Sequence, residues 1–327
     1  MELSILDQSP IPDGSSAARA LTDSIDLARA ADRLGYRRYW AAEHHAARSH
    51  AGPAPEIVVA AAAAATTRIR VGSGGVLLPY YSPLKVAETF RVLHALYPDR
   101  IDLGLGRAIR AEAPEFEPLR RDASRLDFAE KLAELRAFLS PDHWEHPEVH
   151  VMPDDPGGPE VWLLGSSARS AEAAARLGLP YAYAHFLAPD QTKEALARYR
   201  QINPDGRIVL GLGVYCGETD AEARWLYAGQ RLFRQRMSRG EVRPLPSPEQ
   251  AVAELGEAGA LDPGPDSEER YVVGTPGLVH ERITALATEV GADEVTVLSS
   301  IHDHEERVRS YALLAEAFDL RIRASAA

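Results

Sequence analysis

Hydrophobic and polar positions along this chain switch period repeatedly. Short runs rich in β-branched and aromatic residues alternate with stretches whose apolar residues recur every three or four positions. The first period predicts strands and the second helices. LSIL, from Leu3 to Leu6, is the first strand, and a helix from Leu21 to Leu34 follows and stops at Gly35. YRRYWAAEH is the second strand; the helix from Glu56 to Thr66 comes after Pro55, a residue suited to a first helical turn. IRVGSGGVLL is the third strand, with a helix from Ser82-Pro83 to Leu96. IDLGLGR is the fourth, with a helix from Asp122 to Leu139, and VWLLGSS the fifth, with a helix from Ala168 to Leu177. YAYAHF is the sixth, and Asp190 is the expected N-cap of a helix reaching Arg200. RIVLGLGVYC is the seventh, with Thr219 capping a helix to Met237, and EVTVLSS the eighth, with a helix from His304 to Phe318.

Eight strand-then-helix units imply parallel strands joined by right-handed crossovers. In 327 residues they predict an α/β chain folded as one closed (β/α)8 TIM barrel over 1–327, rather than an open doubly wound sheet. Two segments break the alternation. His143 to Pro159 is rich in Pro, Gly and His and predicts a hairpin or loop. Arg239 to Tyr271 holds five prolines and reads as an insertion after helix seven, with PEQAVAEL helical inside it.

Composition narrows the partners. Lys and Arg number 36 against 48 Asp and Glu, a net charge of −12, which repels phosphate backbones and anionic lipid. Neither nucleic acid nor a membrane surface is expected as a partner. The longest apolar run, Val58 to Ala65, is too short to span a bilayer, and MELSILDQSP lacks a basic, apolar leader. A cytoplasmic protein is expected. One cysteine, Cys216, excludes an internal disulfide and zinc sites built on two or four thiolates.

The candidate chemistry sits at strand ends. GLGRAI, GLGVYC and VGSGGV each miss a complete GxGxxG, so a dinucleotide fingerprint is weak; Gly211 and Gly213 suit relief of crowding inside a barrel equally well. Small residues at Gly72–Gly75 suggest close approach of a flat ligand or an unusual peptide geometry. GSSARS, Gly165 to Ser170, joins strand five to a helix, and a helix N-terminus rich in hydroxyls suits either a phosphate or a plain cap. His44 and His45 close strand two, on the rim where barrel enzymes keep reactive groups. Histidine titrates near neutrality and suits acid/base work. His143, His146, His150, His302 and His304 lack a matching carboxylate or cysteine set, so no metal is expected. G-x-S-x-G is absent.

AEHH at 42–45, VGSGGVLLPYYSPLKVAE at 71–88, IDLGLGR at 101–107, LLGSSARSAEAAARLGLP at 163–180 and VVGTPGLVHERI at 272–283 resemble, in order, the bacterial luciferase-like flavin monooxygenases. LDQSPI and GSGGVLLPYYSPL are similar to a subgroup of small single-chain members that includes polyketide tailoring oxygenases such as that of the mensacarcin pathway. The resemblance implies a (β/α)8 barrel that takes reduced FMN (FMNH2) from a separate reductase and activates O2 as a C4a-peroxyflavin. The substrate would be an organic molecule, such as a polyketide in antibiotic biosynthesis. It implies that His44 is catalytic, that Ser73, Gly74 and Gly75 bind the cofactor, and that Gly74-Gly75 forms a non-proline cis peptide against the isoalloxazine ring. Arg107 would contact the flavin phosphate or ring edge. Ser167 and Ser170 match phosphate-binding hydroxyls, flanked by Arg169 and by Ser166, where some members carry Glu. Residues 239–271 correspond to a mobile lid, and helices two and three to a homodimer contact. Tyr81 and His185, with Tyr80 and Phe186, suit an aromatic substrate pocket or ordinary packing. One departure stands out: where the subgroup continues GLGRAPG, this chain has GLGRAIRAEAPEFEPLRR, so the loop 108–121 is atypical.

Three rival readings share the pattern. A 5-deazaflavin-dependent oxidoreductase would use the same fold for hydride transfer. A non-catalytic flavin-binding barrel would bind without turnover. A barrel lyase or isomerase acting on a sugar phosphate would also need a phosphate turn, more often after strands seven and eight.

Overall fold

The computed structural model describes residues 1–107, 114–121, 126–140, 148–262 and 270–321. Its strands are β1 (Glu2–Asp7), β2 (Arg38–Ala41), β3 (Arg70–Leu77), β4 (Ile101–Gly106), β5 (Glu160–Gly165), β6 (Tyr181–Ala184), β7 (Ile208–Cys216), β8 (Tyr271–Gly274) and β9 (Glu294–Leu298). Every pairing is parallel. β1 to β7 follow one another, β9 pairs with both β7 and β1, and the sheet closes as the expected eight-stranded barrel. β8 is a ninth strand outside the ring. It pairs with Gly213–Cys216, the half of β7 that overhangs β9.

The main helices are α1 (Ala17–Leu34), α2 (Pro55–Ala65), α3 (Pro83–Leu96), α4 (Phe128–Leu139), α5 (Ala168–Arg176), α6 (Thr192–Ile202), α7 (Asp220–Ser238), α8 (Pro248–Leu255), α9 (Glu257–Leu261), α10 (Pro276–Val290) and α11 (His304–Ala317). Local chemistry sets their ends. Ser16 caps α1 four residues before the expected start, and Gly35 ends it with a left-handed φ of 87°. Asp127 and Glu130 form a capping box at α4; the expected start at Asp122 lies outside the described residues. Asp190 is not the cap of α6. It sits in a single turn, Pro189–Gln191, and α6 begins without a side-chain cap. Thr219 caps α7 as expected.

The insertion after α7 is built from α8 and α9. Ala251 and Ala260 bury themselves against Ala228 and Leu232 of α7. Leu245 ties the insertion to the loop after β1 through backbone bonds with Ile11 and Asp13. The strand β8, absent from the eight units predicted, then leads into GTPGLVHERI. Of the segment 143–159, residues 148–159 run as loop up to β5.

Side chains alternate between the barrel interior and the helix layer. The outer set, including Ile5, Tyr39, Val71, Leu103 and Leu210, joins the helices in the large core. The inner set starts at the N-terminal end with charge. Arg38 is wholly buried and donates to Asp102 Oδ2 (2.8 Å) and Glu294 Oε1 (2.8 Å). Its guanidinium stacks over Trp162 at 4.7 Å. Trp40 donates to the same Asp102 oxygen at 2.9 Å and meets Trp162 edge to face, 5.4 Å between centroids. Charge and two indoles thus close the bottom of the barrel.

Candidate active site

Above the tryptophans the inner positions turn small. Trp40 and Ala42 of β2 and its extension, Gly74 of β3, Gly106 of β4, Ala182 and Ala184 of β6 and Gly211 of β7 all line a cleft of about 520 Å³. Leu6, Leu164 and Thr296 complete its walls. The cleft opens at the C-terminal rim, the functional end of this architecture. Its glycines differ in kind. A Cβ on Gly106 would meet nothing within 4 Å, whereas one on Gly104 would fall 2.2 Å from the Ser73 carbonyl oxygen. Gly106 leaves room for a ligand; Gly104 lets two strands approach. The peptide Gly74-Gly75 is cis, as expected, and the β3–β4 register shifts between Ser73 and Val76.

His44 follows β2 and lines the cleft. Its backbone N–H donates to Gly52 O at 2.9 Å, and its Nδ1 is buried with no hydrogen-bond partner among the described residues. Its ring stacks on His50, 4.3 Å between centroids with 14° between planes. Burial, with His45 adding to it, brings the His44 imidazole down to about 4. His50 is held well below its ordinary value by burial first and His44 second.

Beside it lies a carboxylate the sequence reading passed over. Glu43 lines the cleft, and its Oε1 accepts from Tyr81 (2.7 Å) and lies 2.6 Å from His45 Nε2. Its Oε2 accepts from the Leu77 N–H at 3.0 Å, two residues beyond the cis peptide. Burial, then Glu43, pushes the Tyr81 hydroxyl far above its ordinary range.

On the opposite side GSSARS forms the first turn of α5. Ser167 caps it, accepting from the Ser170 N–H, and the two hydroxyls lie 3.0 Å apart. Tyr181 reaches the Ser170 hydroxyl at 2.8 Å, and a Cβ on Gly165 would strike that hydroxyl at 2.3 Å. Tyr183, also in the lining, anchors its hydroxyl on Ala188 O at 2.7 Å. Arg107 lies over the Phe128 ring at 4.5 Å on the cleft edge.

Of the residues singled out in the sequence, the fold brings His44, Gly74, Gly75, Arg107, Ser166, Ser167, Arg169, Ser170 and Phe186 into this one cleft. Ser73, Tyr80, Tyr81 and His185 do not line it. The Ser73 hydroxyl is buried and spent on the Gly104 peptide, donating at 2.9 Å and accepting at 3.1 Å. Tyr81 is turned to Glu43, and His185 to Thr192, 2.7 Å from Nδ1 to Oγ1. Gln8, Glu43, Tyr183 and Thr296 line the cleft without having been singled out as cleft residues in the sequence. The AEHH string held a signal for Glu43, since a carboxylate next to two histidines at a strand end is a site pattern. The residues 108–113 of the atypical loop lie outside the described residues.

The profile of the luciferase-like monooxygenases matches residues 1–294. The solved structure of apo-MsnO8 is 54% identical, with a TM-score of 0.92 over 98% of this chain and 99% of that one. A luciferase-like monooxygenase of Escherichia coli strain K12 is 38% identical over 95% of both chains. N-acetyl-S-alkylcysteine monooxygenase of Bacillus subtilis is 34% identical over 97% of this chain and 98% of that protein. Two distant structures share the fold. One is the oxygenating constituent of 3,6-diketocamphane monooxygenase in complex with FMN, 21% identical over 99% of both chains, with a TM-score of 0.74. The other is an F420-dependent secondary alcohol dehydrogenase, 15% identical over 99% of both chains, with a TM-score of 0.67.

Proposed function

This chain belongs to the luciferase-like monooxygenase family, and on that premise we propose that its cleft binds reduced FMN and oxygenates an organic substrate with O2. One observation carries the reading. A single cleft joins an imidazole whose Nδ1 has no hydrogen-bond partner among the described residues, a glycine-peptide wall and a hydroxyl-lined helix N-terminus. The donor set suits the parts of FMN. Hydroxyls and free N–H groups at the start of α5, with Arg169, match a phosphate. Leu6, Trp40, Leu77 and Leu164 make apolar walls for a flat ring, and Gly106 leaves the space open.

Bound reduced FMN would supply the electrons and the activation of dioxygen. This chain's residues do the rest. Ser166, Ser167, Ser170 and Arg169 bind the phosphate end; Gly74 and Gly75 offer flat backbone to the ring; the apolar walls exclude water. His44 lines the cleft and holds or passes a proton at Nε2, its Nδ1 being buried. Residues 239–271 act as a mobile lid tethered at Leu245, although none of those described lines the cleft. A separate reductase delivers the reduced flavin to a cytoplasmic homodimer, with a polyketide of secondary metabolism as the substrate class the resemblance implies.

Anaerobic calorimetry with reduced FMN and with a reduced 5-deazaflavin tests the cofactor. Tighter binding of FMN is expected, weakened at least tenfold in Ser167→Ala/Ser170→Ala. Preference for the deazaflavin would replace this reading with hydride transfer. Under turnover, His44→Gln should lower product formed per reduced FMN by roughly 100-fold, with hydrogen peroxide making up the difference.

A further inference from the structure

The surroundings of His44 decide which of its nitrogens carries the proton. His50 stacks flat on it, and His50 itself is held on three sides. Its loop is bonded to the loop after β1 by Ile11 N–H to Ser49 O (2.8 Å) and Ala51 N–H to Ser9 O (2.9 Å). Its Nδ1 lies 2.9 Å from the Ser49 hydroxyl, and Phe233 of α7 meets its ring edge-on at 6.0 Å. The stack therefore spans β2, the β2–α2 loop and α7, and neither ring can swing freely.

Two imidazoles in face-to-face contact cannot both be cations without strong repulsion. The other titratable groups facing the pair are His45, on one side of His44, and Asp7 of β1, whose carboxylate is already engaged by Arg307 and Tyr39. From α7 the stack meets Phe233, which carries no charge. The pair is thus held neutral, and a neutral ring has one proton to place. On Nδ1 it would be a buried donor with no acceptor, the rarer and less tolerated kind of orphan. Nε2, which is not the buried orphan, belongs to a ring that lines the cleft and is the better place for it.

We propose that His50 is a positioning residue that holds His44 as the neutral Nε2–H tautomer, so that the cleft is offered a hydrogen-bond donor. The proposal deepens the reading of His44 as the proton-handling group and rests on it for its consequence, though not for its test. Ligand-free protein labelled with ¹⁵N-histidine is followed by imidazole NMR across pH, with His44→Gln supplying the assignment. Wild type should show His44 protonated at Nε2 and bare at Nδ1, without titration near 6.5, the ordinary value. His50→Phe, which keeps a flat ring, should match it. His50→Ala should move the His44 midpoint up by about one unit or more and mix the tautomers.

A proton on Nδ1 in wild type, titration of wild-type His44 near 6.5, or a His50→Ala spectrum identical to wild type would each overturn the proposal. If His50→Ala fails to fold, wild type decides the tautomer and His50→Phe decides the role of the stack. Failure here leaves the flavin reading standing. Full coupling in His44→Gln would remove the catalytic reading and leave the tautomer intact.

Discussion

Asp7 shows how single residues tie this site to stability. Burial alone would raise its carboxyl, but the Arg307 guanidinium 2.6 Å away, with Ser24 and Tyr39, brings it down to about 2. Its ordinary value is about 3.9. A depressed carboxyl stabilises the fold above that unfolded value, and the contribution is lost as pH falls through the folded one. For this shift it is roughly 2–3 kcal/mol, lost between about pH 4 and 2. His44 and His50 act in a higher window with the same sign. They are kept neutral when folded but charge readily when unfolded, so stability falls from about pH 6.5 down toward 4. Urea midpoints measured against pH should therefore decline in two stages. His50→Phe should reduce the upper stage to the His44 share and leave the lower one, and a single stage below pH 4 in wild type would refute the histidine contribution. Glu43 belongs to the same scale. Because its Oε2 holds the Leu77 N–H, Glu43→Gln should loosen the end of β3 and weaken flavin binding several-fold with little change in thermal midpoint.

The strands carry a sharper contrast between neighbours. Gly104 and Gly106 both belong to β4 and share one motif. Gly104→Ala would drive a methyl to within 2.2 Å of Ser73 O, so the β3–β4 pairing must open; a loss of about 2 kcal/mol or more is expected by urea unfolding. Gly106→Leu faces open space in the cleft. It should fold with a near-normal thermal midpoint and lose reduced-FMN binding. Equal destabilisation of both variants would contradict this division. The sequence could not have made the distinction, because a GLG string says nothing about which glycine touches backbone and which leaves a hole. Other features were legible. Hydrophobic period located all eight barrel strands, and Thr219 and Gly35 marked real helix ends. β8 escaped because it has four residues and pairs only with the overhang of β7. Ser73 read as a cofactor contact and Tyr81 as pocket or packing alike, because proximity along the chain does not reveal a side chain's direction. Backbone geometry gives one hydroxyl to Gly104 and the other to Glu43.

At the scale of the whole molecule the two ends of the barrel are unlike, and the sides are too. The N-terminal end is shut by Arg38 and its carboxylates, the C-terminal end is open, and the chain as a whole carries a net charge of −12. One flank departs from this. On α2, Ile57, Ala61 and Ala64 form an exposed stripe at helical spacing, with Ile57 66% exposed. The neighbouring α3 adds Val92 and Leu96, the latter 64% exposed. Scattered surface apolar residues need no explanation, but adjoining stripes on two neighbouring helices do. Alanine lets helices approach closely, and a second copy of the same flank presents the same stripe, as a two-fold contact requires. The homodimer expected from the resemblance would bury this face. Sedimentation velocity at micromolar concentration should then give a dimer. Ile57→Glu together with Leu96→Glu should give a monomer that keeps its fold, because neither side chain is buried in one protomer. A monomeric wild type would reject the contact. A dimer that survives both substitutions would place the interface on another face of the barrel.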